Sequence, residues 1–245
     1  MEKIEKQQYK FEEFDEYVSL FNIVPAGNND SLVLLRKIVD GIQSDVFDRN
    51  PCVLIVGEGS KDFAISLANS LCSDDIREFE AKYLNTTQSQ MEFLGDSLYD
   101  TIHILNNINS AGMSESMIWS VIKNRKCRFN NYRGDPEIYY HINGQIILTA
   151  EKIESVPVPI LAASDFKVLI EPYTQNQLEL LVHQRLWFCG IDYGKDEEVL
   201  KTIVEYGKGE LQRILNLIKI CILLAQTEGE SELSVEMVKR ASRMY

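Results

Sequence analysis

Pro51-Cys52-Val53-Leu54-Ile55-Val56-Gly57-Glu58-Gly59-Ser60-Lys61-Asp62-Phe63-Ala64 is the stretch that decides the fold. Its continuous apolar run, Cys52 to Val56, is bounded by Pro51 and Gly57 and is the length of a strand rather than a helix. Such a run suits a strand buried on both faces of a parallel sheet, where no alternation with polar residues is needed. The glycine-bearing turn Gly57-Glu58-Gly59-Ser60 then leads into Phe63, Ile65, Leu67, Ala68 and Leu71, a helical pattern.

The same strand–helix alternation extends outward. Upstream, Leu32, Leu35, Ile38, Val39 and Ile42 recur at helical spacing between Ser31 and Val46. Downstream, Thr101–Leu105 predicts a second buried strand, with a helix over 115–123 after it. Gln145–Thr149 predicts a third strand and Phe166–Ile170 a fourth. Strands separated by helices imply a parallel sheet with helices on both faces. Beyond Pro172 the pattern is helical only, over 175–188, 197–206, 210–226 and 234–243. The expected fold class is therefore α/β. A polar, flexible N-terminus (1–10) precedes a three-layer αβα parallel-sheet domain (11–172), and a small all-helical domain (173–245) follows.

Composition narrows the function. The chain has 245 residues, a formal charge of −12 and 45% hydrophobic residues, the profile of a globular protein with a sizeable core. That acidity argues against gripping nucleic acid unaided, which requires a basic surface to neutralise phosphates. A basic patch on an acidic body, or service inside a larger nucleic-acid complex, stays open. Cys52, Cys72, Cys127, Cys189 and Cys221 are odd in number and form no C-x-x-C. They read as small buried hydrophobes in a reducing compartment. A zinc site is not expected, since His103, His141 and His183 are the only histidines and none stands at ligand spacing from a cysteine. The charged N-terminus has no apolar core of a secretory signal. The longest apolar stretch, Ile214–Ala225, is interrupted by Asn216 and Lys219 and is too short to span a bilayer. A cytoplasmic protein without a membrane partner is expected.

The order of elements resembles the AAA+ ATPases, most closely the motor core of the RuvB-type Holliday-junction branch-migration helicases, over roughly residues 11 to 245. Phe14-Asp15-Glu16-Tyr17-Val18 is similar to that family's N-terminal box. Val53–Gly57 stands where the strand before the phosphate loop belongs, and Ile102–Ile108 where the hydrophobic strand ending in Asp-Glu belongs. Glu171-Pro172-Tyr173-Thr174 looks like the approach to the lid, and Gly209–Asn216 resembles the sensor-2 helix. The resemblance implies a P-loop NTPase fold with a helical lid. By the same resemblance Tyr17 and Val18 would border the adenine pocket, although packing is the role expected of them here.

The chemistry of the family does not carry over residue by residue. A working phosphate loop reads G-x-x-x-x-G-K-[ST]: backbone N–H groups cradle the phosphates, Lys reaches the β/γ oxygens and the hydroxyl holds Mg²⁺. Here the segment is Gly57-Glu58-Gly59-Ser60-Lys61-Asp62-Phe63-Ala64, so in that frame Asp62, Phe63 and Ala64 replace glycine, lysine and hydroxyl. A shortened loop would use Lys61 instead, with the Asp62 charge beside it. The acidic pair that would hold Mg²⁺ and polarise water is Asn106-Asn107, and an amide cannot take a proton from water. The stretch 159–166, matching the family's arginine-bearing segment, has no arginine. The sensor-2 arginine falls on Gln212, with Arg213 about 100° further round the helix. The sensor-1 position lies near Thr149 and Ala150. The family's helicases continue into a winged-helix DNA-binding domain, for which Tyr245 is expected to leave no room. No catalytic residue and no metal site are expected, and nucleotide affinity is expected to be weak or absent.

Surface features then carry the functional expectation. Lys123–Arg133 is the densest basic cluster in the chain, interleaved with Phe129 and Tyr132 and followed by a turn signal at Gly134-Asp135-Pro136. It predicts a β-hairpin, the element the family uses to contact its partner protein. Arg125, Lys126, Arg128, Phe129, Tyr132, Arg133, Tyr139 and Tyr140 are its candidate contact residues. Trp187 and Phe188 are expected in the core of the helical bundle, and His103 as a satisfied core histidine. The expected function is an inactive RuvB-like subunit or scaffold whose partner is another protein, an AAA+ homologue or a DNA-processing complex. No sequence-specific DNA binding is expected. The alternatives are a sensor that binds ATP or ADP through Lys61 without efficient hydrolysis, and a residual ATPase in a DNA-processing complex.

Overall fold

The computed structural model describes residues 28–71, 75–94, 101–110, 115–129, 138–188, 191, 193, 197–230 and 232–244, excluding the side chains at 29, 87, 91, 110, 127–129, 138–140, 188 and 212. They divide into two compact units, Asn28–Pro172 and the chain from Tyr173 onward. The first unit runs α1 (Asn29–Gln43), β1 (Cys52–Val56), α2 (Ser60–Ser70), β2 (Ile76–Glu80), α3 (Thr87–Leu94), β3 (Ile102–Asn106), α4 (Glu115–Asn124), β4 (Lys126–Phe129), β5 (Ile138–His141), β6 (Gln145–Ala150), α5 (Val158–Ala163) and β7 (Phe166–Leu169).

Five of the strands form one parallel sheet in the order β2-β3-β6-β1-β7. The three central strands β1, β3 and β6 are buried along their whole length, which is why they read as apolar-rich runs without a polar alternation, broken only by buried His103, Asn106, Gln145 and Thr149. Side chains alternate between the two faces. Cys52, Leu54 and Val56 pack with Leu105, Ile146, Leu148, Ile118, Ile122 and Ile160 in one core. Val53, Ile55, Phe63, Ala64, Leu67, Leu35 and Val39 are buried as well, with α1 and α2 packed on the sheet. The α/β class, the parallel sheet and the helical C-terminal region are as the sequence indicated.

Three elements of this unit were missed. Edge strand β2, Ile76-Arg77-Glu78-Phe79-Glu80, is only half buried and carries charges on both faces, so it has no apolar run to announce it. Helices α3 and α5 are eight and six residues long, too short for a periodic signal.

The second unit contains α6 (Gln175–Phe188), α7 (Glu197–Tyr206), α8 (Leu211–Glu228) and α9 (Val235–Ser242) around a core that includes Leu178, Val182, Leu186, Ile203, Ile214, Ile218 and Val238. Gly229, at φ +72°, ends α8, and the Ser234 hydroxyl caps α9 by accepting the Met237 N–H at 3.2 Å. Trp187 corrects the sequence expectation: it is 68% exposed, not core. Leu178, Val182 and Leu186 define the inward stripe of α6, and Trp187 sits on the outward stripe with Leu180 and His183. Phe188 has no described side chain.

Candidate functional site

In an open α/β sheet, ligands bind outside the carboxyl ends of the strands. Here β1, β2, β3 and β6 end at that edge with Val56, Glu80, Asn106 and Ala150. The chain leaves β1 through Gly57, whose N–H donates to the Ala150 carbonyl at 2.9 Å. Gly57 has φ +129°, and a Cβ there would lie 2.1 Å from the Ile170 carbonyl oxygen, so only glycine fits. Gly59, at φ +84°, caps α2, and the Ser60 N–H donates back to Gly57 O at 3.1 Å. Helix α2 begins at Ser60, so Glu58 and Gly59 alone separate Gly57 from the helix. A phosphate loop has four residues between its glycines, whereas here the helix has already begun by Ser60 and Lys61 lies in its first turn. Phe63 and Ala64 lie on the buried face of α2 at 4% and 0% exposure, rather than at a lysine and a hydroxyl position.

Around Lys61 the strand ends close a ring of side chains. Lys61 Nζ is 2.7 Å from Glu78 Oε1 and 3.8 Å from Glu80 Oε1. Asn106 Nδ2 donates to Glu78 Oε1 at 2.7 Å, and Asn106 Oδ1 accepts the Thr149 hydroxyl at 2.9 Å. Thr149 Oγ1 in turn accepts the Asn107 backbone N–H at 3.2 Å, and Asn107 Nδ2 donates to Glu80 Oε2 at 2.8 Å. The parallel register that sets Glu80 beside Asn106 makes the ring possible. Asn107 has φ +54°, a left-handed conformation that asparagine tolerates and that helps turn its amide toward β2. Asn106 and Thr149 are buried, while Lys61, Glu78 and Glu80 remain partly exposed.

A magnesium–nucleotide does not fit these groups. Lys61 is engaged by two carboxylates, Ala64 offers no hydroxyl, and the amides of Asn106 and Asn107 point their nitrogens at Glu78 and Glu80. Among the described residues no group of three or more His, Cys, Asp or Glu is placed to hold a metal. Sequence reading missed Glu78 and Glu80. Their one signal was the i, i+2 spacing of like charges, which puts both on one face of a strand.

The second candidate, the hairpin, is present. β4 and β5 pair antiparallel, with Lys126 opposite His141 and Arg128 opposite Tyr139. Lys126 is exposed. Arg125 is half-buried at the root of the hairpin. It stands at φ +53° at the end of α4, its Nη1 donates to Gly144 O at 3.0 Å and its Nη2 to Asn50 O. Its own carbonyl accepts the Ile142 N–H at 2.9 Å, so Arg125 fastens both roots of the hairpin to the body. Arg49 donates to the last carbonyls of α4 and pairs with Asp165 at 3.1 Å, in the segment where the resemblance looked for an arginine. Tyr132 and Arg133 lie outside the described residues, as do the side chains of Arg128, Phe129, Tyr139 and Tyr140.

Residues 14–18, with Tyr17 and Val18, are outside the described residues, as is the side chain of Gln212. Arg213 pairs with Glu210 at 2.8 Å. His103 is fully buried, and its Nδ1 stands 3.1 Å from the Phe93 carbonyl, which requires the proton on Nδ1. Burial holds its pKa down at about 4. Cys52 and Cys221 are free, buried thiols whose pKa burial pushes up to about 12, so neither is a nucleophile. Cys72 and Cys189 and the Cys127 side chain are not described. No helix among the described residues is long and apolar enough to cross a membrane.

A parallel sheet of this order, a glycine turn after β1 and a following helical unit define the AAA+-type P-loop αβα fold. Among solved structures the chain is similar to the Thermotoga maritima RuvB Holliday junction branch migration motor, with a TM-score of 0.69 at 12% identity, covering 94% of this chain and 73% of that one. Two point variants of the same motor match with TM-scores of 0.68 and 0.63 at 13% and 14% identity, covering 93% and 94% of this chain and 72% and 73% of theirs. No family model and no curated protein matches. At this identity the likeness establishes the fold.

Proposed function

We propose that this chain is a RuvB-like AAA+ protein without ATP hydrolysis that works as a protein–protein interaction subunit. The observation that supports the reading is the Lys61–Glu78–Asn106–Thr149–Asn107–Glu80 ring. In the motors this fold resembles, hydrolysis uses a carboxylate to orient and deprotonate the attacking water and a cation to carry the developing charge. At the end of β3 the groups are amides, and the lysine of α2 is already neutralised from β2. The hairpin is the proposed contact surface: Arg and Tyr are enriched among residues that carry binding energy, and a cationic hairpin on a chain of charge −12 orients an acidic partner before docking. The similar motor acts on Holliday junctions, so a protein of a DNA-processing assembly is the partner class to seek.

Phosphate release by the purified protein with ATP and Mg²⁺ is expected to equal that of the Asn106→Ala, Asn107→Ala control. Turnover that vanishes in the control refutes the reading. Co-purification tests the contact surface. Replacing Arg128, Tyr132 and Arg133 by Ala should weaken partner capture at low salt and leave the fold intact, and full retention of the partner places the contact elsewhere.

A further inference from the structure

Lys61 is the one described cation in the first turn of α2, and both carboxylates that engage it come from a single edge strand. Glu78 and Glu80 are fixed there by more than charge. Each accepts a side-chain N–H, from Asn106 and Asn107 respectively, and those amides are held in register by Thr149. Had Asn106 or Asn107 been an acid, it would have repelled its neighbour on β2 at about 2.7 to 2.8 Å. The amides at the end of β3 and the carboxylates of β2 are therefore one arrangement, and its product is a lysine supplied with internal anions on the side facing the sheet. The groups a polyphosphate brings to such a lysine are oxygen anions at the same 2.7 to 3 Å range.

We propose that Glu78 and Glu80 are built-in counter-ions that take the place of a polyphosphate on Lys61, making the sheet edge an anion site closed by its own chain. This rests on the reading that the native protein does not turn over nucleotide, and it adds the cause of weak binding: competition from within, rather than loss of the lysine alone. Neutralising the two carboxylates while keeping their shape should release Lys61 and leave the amides with acceptors.

The test compares wild type, Glu78→Gln/Glu80→Gln and the same double variant carrying Lys61→Met, titrated with inorganic tripolyphosphate and with ADP by calorimetry at low salt. The double variant should bind tripolyphosphate at least tenfold more tightly than wild type. The gain should disappear with Lys61→Met and shrink as salt rises. Acetylation of Lys61 by acetic anhydride, followed by mass spectrometry, should be several-fold faster in the double variant than in wild type. Equal affinity in wild type and double variant, or a gain that survives Lys61→Met, overturns the proposal. So does wild-type Lys61 acetylating as fast as in the double variant. Tight ADP binding by wild type that is strengthened tenfold in the double variant ends the weak-binding reading yet supports the lock. Circular dichroism checks the fold. Should the double variant not fold, Glu78→Gln alone, which removes the 2.7 Å partner, carries the same comparison with a threefold gain as the threshold.

Discussion

Restoring an acid at the end of β3 is the obvious attempt to revive a motor, and this structure predicts that Asn106→Asp fails and destabilises the protein. Asn106 Nδ2 donates to Glu78 Oε1 at 2.7 Å, and the substitution turns that donor into a second carboxylate oxygen. Two unit charges at that separation repel by about 6 kcal/mol at an effective dielectric constant of about 20. Glu78 is partly exposed and can swing toward water or lean on Lys61, so about 2 to 4 kcal/mol is the expected loss at pH 8. The Thr149 hydroxyl still finds an acceptor in the new carboxylate, so the damage is confined to the Glu78 side. The new carboxyl has a folded-state pKa raised above its unfolded value of about 3.9. Below that value it is protonated in both states and the penalty is absent. The penalty grows as pH rises from about 4 to the folded pKa and is complete above it. Urea unfolding at pH 4.5 and pH 8 should show the gap between variant and wild type widening with pH, and the companion Glu78→Gln should remove most of the gap in a double-mutant cycle. A variant as stable as wild type at pH 8 would refute the ring as drawn.

Two further outcomes are expected. His103 is neutral in the fold with a pKa near 4 against about 6.5 unfolded, so its stabilisation is complete above about 6.5 and is lost as pH falls toward 4. The loss amounts to about 3 kcal/mol, and His103→Asn, which keeps a donor for Phe93 O, should flatten the acid limb of stability measured by urea unfolding. Gly57→Ala forces a Cβ to within 2.1 Å of Ile170 O and should lower stability by more than about 2 kcal/mol in thermal unfolding, whereas Gly59→Ala, at φ +84°, should cost about 1 kcal/mol.

The αβα class and most of the elements are legible in the local pattern of residues. Strands β1, β3 and β6 are buried on both faces, so their burial is written as apolar-rich runs, and the helices α6 and α7 have the bounds expected from the sequence. It also placed the glycine turn and the amides of Asn106 and Asn107. What those groups meet is set by packing between elements far apart in the chain. Glu78 and Glu80 lie on an edge strand whose half-exposed pattern carries no local signal, and the parallel register of β2 on β3 sets them beside the amides. Arg125, read as one more surface cation in a basic run, is turned inward by its left-handed backbone and its hydrogen bonds to Asn50 and Gly144. Trp187 faces outward because the stripe Leu178–Val182–Leu186 had already filled the bundle side of α6. Local pattern encodes which residues a segment must bury. Which charges then face one another across positions 61, 78, 80, 106, 107 and 149 depends on strand register and helix placement, set by packing over long separations in the chain.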